Sequence, residues 1–146
     1  MKKINYYFAM LLMITLPVLL TSCEKKLSDD APFEKLIVGK WDCTRMDWEM
    51  KYQGEEEIGS DYYDTEDWTW EFDGEEITMY EDGGEDYEGT YRYDIEDNKL
   101  YTEYATYYEA QYFKITTLNK TKLVLELTYH YEDVNAKYIF VFKRIK

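Results

Sequence analysis

Residues 68–79 read WTWEFDGEEITM, and this stretch decides the fold class. Its first three aromatic side chains alternate with polar ones, which is the period of two of a β-strand with one buried face. Asp73-Gly74 follows, a dipeptide typical of tight hairpin turns, and the apolar alternation resumes at Ile77. The stretch therefore predicts two antiparallel strands joined by a short turn.

The same period of two recurs from Gly39 to the end of the chain. It predicts eight strands, at residues 39–50, 67–73, 76–81, 87–95, 99–105, 110–118, 122–131 and 137–145. Most connections are short, and the first, residues 51–66, is long. Eight consecutive antiparallel strands close into a barrel that side chains fill or that holds one small ligand. We predict an all-β, eight-stranded, up-and-down antiparallel barrel.

Two local features mark the start of this barrel. Apolar side chains at helical spacing over residues 33–37 predict one short helix, for which Asp30 is a suitable N-terminal cap and Gly39 a stop. In the first strand the apolar alternation changes phase between Cys43 and Met46. A change of phase by one residue predicts a β-bulge.

The N-terminal segment has the composition of a targeting signal. Residues 1–22 contain no acid, have lysines at positions 2 and 3, and carry an apolar run that is short for a membrane span. The run ends in Leu20-Thr21-Ser22-Cys23, which resembles a bacterial lipobox. This resemblance implies cleavage before Cys23 and lipidation of its thiol, which would hold the protein on the membrane.

We therefore divide the chain into a signal peptide (residues 1–22), a lipidated tether (residues 23–32) and a barrel domain (residues 33–146). The predicted location is the cell envelope of a Gram-negative bacterium, as an outer-membrane lipoprotein. Acidic residues soon after Cys23 leave both the cell surface and the periplasmic face open.

Composition excludes several classes of protein. The chain of 146 residues has 17 Lys and Arg against 31 Asp and Glu, a net charge of −14, which argues against binding nucleic acid. Its 45% hydrophobic content is enough for a buried core. With Cys23 lipidated, Cys43 is the only other thiol, so no internal disulfide forms and Cys43 is predicted to be a small buried hydrophobic residue.

The order of these features resembles the lipocalin-like domain of bacterial lipoproteins. The features are a short helix, then Gly39-Lys40-Trp41 opening the first strand, a long first loop, hairpins, and a basic residue on the last strand. The resemblance covers about residues 33–146. It implies that Trp41 closes one end of the barrel and packs against Arg144, with Gly39 as the start of the same structural motif.

The parity of the hairpins predicts that acidic residues gather at one end of the barrel. In an up-and-down barrel the connections 51–66, 82–86, 106–109 and 132–136 meet at one end, and Lys51 is the only basic residue among them. Such an acidic mouth would favour cationic or neutral ligands over anions. The alternative interpretation is that these acids belong to solvated hairpin turns that keep the protein soluble. No metal site is predicted, but oxygen ligands for calcium remain a weak alternative at three positions, Asp82, Glu85 and Asp86.

Inward-pointing aromatic residues are the candidates for lining a ligand site. Two readings stay open, a packed core and a cavity in which rings face a ligand. The candidate lining residues are Trp68, Trp70, Phe72, Tyr91, Tyr93, Tyr129, Phe140 and Phe142.

The chain offers little for catalysis. It has a single histidine, His130, and no motif that links this residue to Cys43 as base and nucleophile. We predict a non-enzymatic protein without a cofactor that serves as an envelope protein-interaction or accessory module, with an envelope protein as its partner. The alternative is a barrel that binds a small apolar, aromatic or cationic ligand.

Overall fold

The computed structural model describes residues 28, 30–82 and 86–145. The predicted signal peptide and Cys23 lie outside these residues. Within them, no helix is long and apolar enough to cross a membrane. The elements are α1 (Phe33–Leu36), β1 (Gly39–Tyr52), β2 (Glu55–Tyr62), β3 (Trp68–Phe72), β4 (Glu76–Glu81), β5 (Asp86–Glu96), β6 (Lys99–Thr102), α2 (Glu103–Thr106), β7 (Phe113–Leu118), β8 (Lys122–Tyr131) and β9 (Val134–Arg144).

The strands form one closed antiparallel barrel, as predicted. Neighbours in the sheet follow the order β2-β1-β3-β4-β5-β6-β7-β8-β9, and β1 also pairs with β9. That last pairing runs from Trp41 opposite Arg144 to Tyr52 opposite Val134. The prediction of an all-β, 8-stranded barrel is confirmed, with β1 and β3–β9 as its members.

The long first connection contains a strand that the sequence pattern did not predict. One edge of β1 pairs with β3 over Gly39–Asp42 and with β2 over Arg45–Tyr52. Thus β2 and β3 are two parts of one interrupted strand. β2 reads EEEIGSDY, and all of its side chains are exposed except for Gly59, which is half-buried. Alternating burial is what marks a strand in a sequence, and a strand exposed on both faces lacks it.

A buried carboxylate fixes the loop that interrupts this strand. Asp42 is 4% exposed and accepts a hydrogen bond of 2.8 Å from the backbone N–H of Glu66. Burial is the main cause that raises the pKa of Asp42, and the nearby charge of Glu66 and Asp67 adds to it. Tyr63, the first residue of the loop, stays attached to β1, because its N–H donates to the carbonyl oxygen of Thr44 at 3.3 Å. The loop is therefore held at both ends.

The predicted bulge in β1 is confirmed. The register between β1 and β9 shifts between Cys43 and Arg45. Because of this extra residue, Cys43 (0% exposed) and Met46 both reach the core although they lie an odd number of residues apart. The hydroxyl of Thr44 donates to the carbonyl oxygen of Val141 at 3.1 Å, so this carbonyl has a hydrogen-bond partner at the bulge.

α1 differs in its cap from the predicted helix, and α2 lies where a strand was predicted. The prediction that Asp30 caps α1 is wrong, since the N-cap is Pro32 and no side chain caps the helix. The strand predicted over residues 99–105 ends at Thr102, whose hydroxyl accepts from the N–H of Tyr104 at 3.4 Å and begins α2. This capping interaction stabilises the helical turn over the extended form.

The interior of the barrel is packed with side chains. Trp70 is 0% exposed, and its ring lies 5.0 Å from Phe142 and 5.7 Å from Phe113 between ring centroids. Phe140 joins the same cluster, with its ring 6.2 Å from Trp70. Among the described residues, interlocked rings at these distances fill the centre of the barrel.

One side of the barrel is taller than the other. The hairpins β1–β2 and β8–β9 continue beyond the last residue pair of β7 and β8, which is Lys114 opposite Glu126. We call this projection the four-stranded wall, formed by residues 45–52, 55–62, 127–131 and 134–141. Its height on one side only leaves an opening above the shorter strands.

Candidate functional site

The acidic turns meet at the end of the barrel where the wall projects. The antiparallel pairings place the β1–β2, β4–β5 and β8–β9 connections at this end, together with α2. Lys51 is held by Glu49 at 3.2 Å and Glu56 at 2.9 Å, so its charge is already balanced by two carboxylates. The mouth therefore presents an excess of negative charge.

A cleft of about 470 Å³ opens at this mouth, at the foot of the wall. Its floor is aromatic and its rim is acidic. The lining residues are Met46, Tyr63, Asp67, Trp68, Glu81, Asp82, Glu88, Tyr104 and Tyr108.

Glu88 is the central polar group of the cleft. Its Oε2 accepts a hydrogen bond of 3.2 Å from Trp68 Nε1, and its Oε1 accepts one of 3.3 Å from the hydroxyl of Tyr104. The carboxylate is thus oriented through both oxygens, while the side chain remains exposed to solvent. A carboxylate oxygen can accept more than one hydrogen bond, so Glu88 can still accept one from a third partner.

The aromatic floor consists of rings in mutual contact. The centroids of Tyr63 and Trp68 lie 5.5 Å apart, and those of Tyr104 and Tyr108 lie 5.7 Å apart. Burial raises the pKa of Tyr63 to about 12 and raises the pKa of Tyr104 as well, so both phenols are neutral at physiological pH. Neutral rings offer their negative π-faces to a cation.

The charge of the cleft has one sign. Among the described residues that line the cleft, four are carboxylic acids and none is a lysine, arginine or histidine. The acids are Asp67, Glu81, Asp82 and Glu88. Low-dielectric walls lined by one sign of charge concentrate ions of the opposite sign. The cleft therefore suits a positively charged ligand with an apolar body.

The bulge in β5 explains why the sequence did not point to Glu88. The register between β4 and β5 shifts between Met79 and Tyr80, whose partners are Gly89 and Tyr87, so Glu88 is the extra residue. A bulge redirects a side chain that simple alternation would place elsewhere. Tyr104 and Tyr108 were missed because α2 was not predicted, although their spacing of four is that of one helix face.

The closed end of the barrel brings together the three residues that the family resemblance named. The Cζ of Arg144 lies 4.2 Å from the centre of the Trp41 ring. The guanidinium donates to the carbonyl oxygen of Val38 at 2.8 Å and to that of Leu36. Gly39 has φ of +129°, and a Cβ there would lie 2.5 Å from an Arg144 nitrogen. The cluster ties α1 to the first and last strands.

The other predicted lining residues do not line the cleft. Trp70, Phe72, Phe140 and Phe142 are at most 1% exposed and belong to the core, so they cannot line an open site. The remaining tyrosines are half-buried, with Tyr91 against Tyr104, Tyr93 against Phe72, and Tyr129 in a separate groove of about 300 Å³. Of the eight predicted residues, the structure places only Trp68 in the mouth cleft.

The candidate calcium ligands and the thiol have simple structural positions. Asp82 lines the cleft and Asp86 begins β5, while Glu85 lies outside the described residues. In the described part of the chain, no three or more acidic, histidine or cysteine side chains form a group that could hold a metal. Cys43 is buried, as predicted, and burial raises its pKa to about 12, which keeps it a protonated thiol.

Comparisons with known proteins gave one family match and two similar solved structures. The family described as "Lipocalin-like domain" matches residues 37–125. No curated protein matches the chain. A solved lipocalin-like protein from Bacteroides uniformis is 16% identical, with a TM-score of 0.43, and the match covers 75% of this chain and 98% of that one.

A second solved structure, an uncharacterized protein from Bacteroides eggerthii, is 18% identical with a TM-score of 0.42, over 75% of this chain and 99% of that one. The family match spans more than half of the sequence and covers β1 to β7 and the start of β8. The chain belongs to the lipocalin-like domain family.

Proposed function

We propose that this chain is a lipid-anchored envelope protein that binds a small organic cation with an apolar or aromatic body. The observation that carries the proposal is the mouth cleft, where aromatic rings and four carboxylates converge and no basic side chain lies among the lining residues that the structure describes. Glu88 is the counter-ion for the ligand, and the rings of Trp68 and Tyr104 are its aromatic contacts.

The packed core supports a ligand position at the mouth rather than inside the barrel. Trp70, Phe140 and Phe142 fill the volume that an open lipocalin-like barrel would offer. A ligand at the mouth keeps part of its surface in water, so its affinity depends on charge more than on buried area. Each cation–π contact at a partly exposed site contributes about 0.5–2 kcal/mol.

Anchoring and lack of catalysis are part of the same proposal. The lipobox-like sequence ending in Cys23 supports attachment to the outer membrane of a Gram-negative envelope. The protonated, buried thiol of Cys43 supports a non-enzymatic role, because a nucleophile must be accessible and deprotonated. Incorporation of labelled palmitate by the wild type but not by Cys23→Ser would test the anchor.

An accessory role through contact with another envelope protein is a second proposal. Four of the exposed large hydrophobic residues lie on the four-stranded wall, namely Tyr52, Ile58, Tyr62 and Tyr131, each at least 51% exposed. Ile58 and Tyr62 lie on the outer face of the wall, and Tyr52 and Tyr131 lie on its inner face. Exposed apolar side chains close together on a surface, such as Ile58 and Tyr62, are typical of interaction sites. This role uses the wall and leaves the cleft free.

The test of the cation site compares three probes that differ in charge. Full-length protein in mild detergent is titrated with 2-phenylethylamine, 2-phenylethanol and phenylacetate by isothermal calorimetry. We expect the amine to bind at least about tenfold more tightly than the alcohol, which corresponds to about 1.4 kcal/mol, and phenylacetate to bind least.

Variants assign the binding to the cleft. Glu88→Gln removes the charge at nearly unchanged size. Its carbonyl oxygen can still accept from Trp68 Nε1, and its amide N–H can donate to the Tyr104 hydroxyl. We expect this variant to weaken amine binding about tenfold. Glu96→Gln, at the opposite end of β5, is the matched control and should bind as the wild type does. Equal binding of the three probes, or an unaffected Glu88→Gln, would refute the cation site.

A further inference from the structure

One edge of the four-stranded wall has no neighbouring strand. β2 stands at the end of the sheet order, and its only partner strand among the described residues is β1. The other edge of β2, which faces away from β1, therefore pairs with no strand in this part of the chain. Backbone N–H and C=O groups along such an edge are a template for one more strand.

The two faces of β2 have different chemistry. Register with β1 puts Glu57, Gly59 and Asp61 on the inner face, since Asp61 lies opposite the inward residue Met46. Gly59 lies under the ring of Trp48, because a Cβ there would be 2.2 Å from a ring carbon. The inner face of the edge is therefore acidic around one aromatic ring.

The outer face of β2 carries its apolar side chains. Ile58 lies opposite Glu49 in the register and is 71% exposed, and Tyr62 lies opposite Arg45 and is 75% exposed. Directly opposed side chains on adjacent strands interact, so a strand added here would meet apolar groups on this face and carboxylates on the other.

We propose that the free edge of β2 accepts an extended segment of a partner protein that alternates apolar residues with Lys or Arg. The apolar side chains of the segment would pack beside Ile58 and Tyr62, and its basic side chains would face Glu57 and Asp61. Backbone hydrogen bonds would supply affinity, and the alternation would supply specificity. The inference specifies the partner for the proposed accessory role and rests on that role, not on the cation site.

Charge argues against a second copy of this chain as the occupant. In an antiparallel pair of two β2 strands, inner-face residues oppose inner-face residues, so Glu55, Glu57 and Asp61 would meet carboxylates or a glycine. Like charges directly opposite each other are destabilising. A basic segment reverses the sign of every one of these contacts.

The probe for this edge is the peptide Lys-Val-Lys-Tyr-Lys-Val-Lys-Tyr. Full-length protein in mild detergent is incubated with the peptide, and amide hydrogen exchange is followed by mass spectrometry. We expect at least about fivefold slower exchange within residues 55–62, because edge amides would become hydrogen-bonded. A peptide of the same composition with all lysines first, and one with Glu in place of Lys, should give no such protection.

Variants separate this edge from the mouth cleft. Glu57→Lys with Asp61→Lys should weaken peptide binding about tenfold or more, while binding of 2-phenylethylamine stays unchanged. Glu75→Lys with Glu96→Lys, at the other end of the barrel, is the matched control with the same change in charge.

Three results would overturn the proposal: peptide protection outside residues 55–62, equal protection by the non-alternating peptide, or a dimer of the protein alone that protects β2. If the lipidated protein crosslinks to an envelope protein through another surface while the peptide fails, the edge is refuted and the accessory role is retained.

Discussion

At the scale of single residues, Arg144 has the largest structural role at the closed end. Its guanidinium reaches two carbonyl groups that end α1 and stacks over Trp41 at 4.2 Å. We expect Arg144→Ala to lower the free energy of unfolding by about 2–4 kcal/mol, because charged hydrogen bonds and a cation–π contact are lost together.

Urea unfolding of the full-length protein measures this change. Arg144→Lys should fall between the alanine variant and the wild type, since lysine retains the charge but not the planar fork of donors. The neighbouring Lys143→Ala, an exposed position, is the control and should change stability by less than about 0.5 kcal/mol. A loss in Lys143→Ala equal to that in Arg144→Ala would contradict the assigned role.

Asp42 gives a prediction about pH. Burial raises its pKa above the ordinary value of 3.8, so the folded state binds a proton more tightly than the unfolded state does. For this group, stability is greatest below pH 3.8 and is lost as pH rises through the raised pKa. We expect Asp42→Asn to remove this contribution while its side-chain oxygen still accepts from the N–H of Glu66.

The measurement compares unfolding free energies of the wild type and Asp42→Asn at several pH values between 4 and 7. The advantage of Asn over Asp should be larger at pH 7 than at pH 4. Asp42→Ala leaves the Glu66 N–H without its acceptor and should lose about 1–3 kcal/mol at both pH values. A difference between wild type and Asp42→Asn that does not vary with pH would exclude this titration.

At the scale of elements, the sequence predicted what burial patterns encode and missed what they do not. The alternation in Trp68–Phe72 and in Lys122–Tyr131 predicts β3 and β8, because each has one face in the core. β2 has no buried face and so no alternation to detect. α2 begins after a side-chain cap at Thr102. The local sequence is also compatible with a strand that continues to residue 105, which is why the helix was not predicted.

The candidate site was predictable in its charge and in one of its aromatic residues. Hairpin parity predicted an acidic mouth, and Trp68 was among the residues predicted to line a site. Glu88 reaches the cleft through a bulge, and Tyr104 through an unpredicted helical turn. Both depend on how several strands meet, which a single sequence does not show. The phase change at Cys43 was visible because apolar residues flank that bulge on both sides.

Contact between β1 and β2 leads to a prediction for the wall. The ring of Trp48 occupies the space where a side chain on Gly59 would lie. We expect Gly59→Ala to displace Trp48 and speed hydrogen exchange within residues 55–62, at a cost of about 1–3 kcal/mol for overpacking. Ser60→Ala, on the outer face of the same strand, is the control.

A double variant distinguishes steric conflict from loss of strand propensity. If Gly59→Ala acts through Trp48, then adding Trp48→Ala should make the Gly59 change nearly neutral, which a double-mutant cycle measures. If the effect of Gly59→Ala is the same in both backgrounds, the ring contact does not determine the packing of this wall.

At the scale of the whole molecule, acids crowded at one end of a protein with a net charge of −14 repel one another. Salt screens exposed charges over about 10 Å at 0.1 M ionic strength. We therefore expect the midpoint of thermal unfolding to rise when sodium chloride is increased from about 10 to 300 mM, because repulsion in the folded mouth is screened.

The same reasoning predicts which carboxylates cause the effect. Glu55 and Glu57 have no basic partner among the described ion pairs, whereas Glu56 is paired with Lys51. Glu55→Gln with Glu57→Gln should raise the midpoint at low salt and reduce its dependence on salt. Glu96→Gln, remote from the mouth, should change neither. If the midpoint of the wild type and of both variants depends on salt in the same way, repulsion between carboxylates at the mouth does not limit stability. The acidic mouth would then not destabilise the fold, and its charge would remain available for binding a ligand.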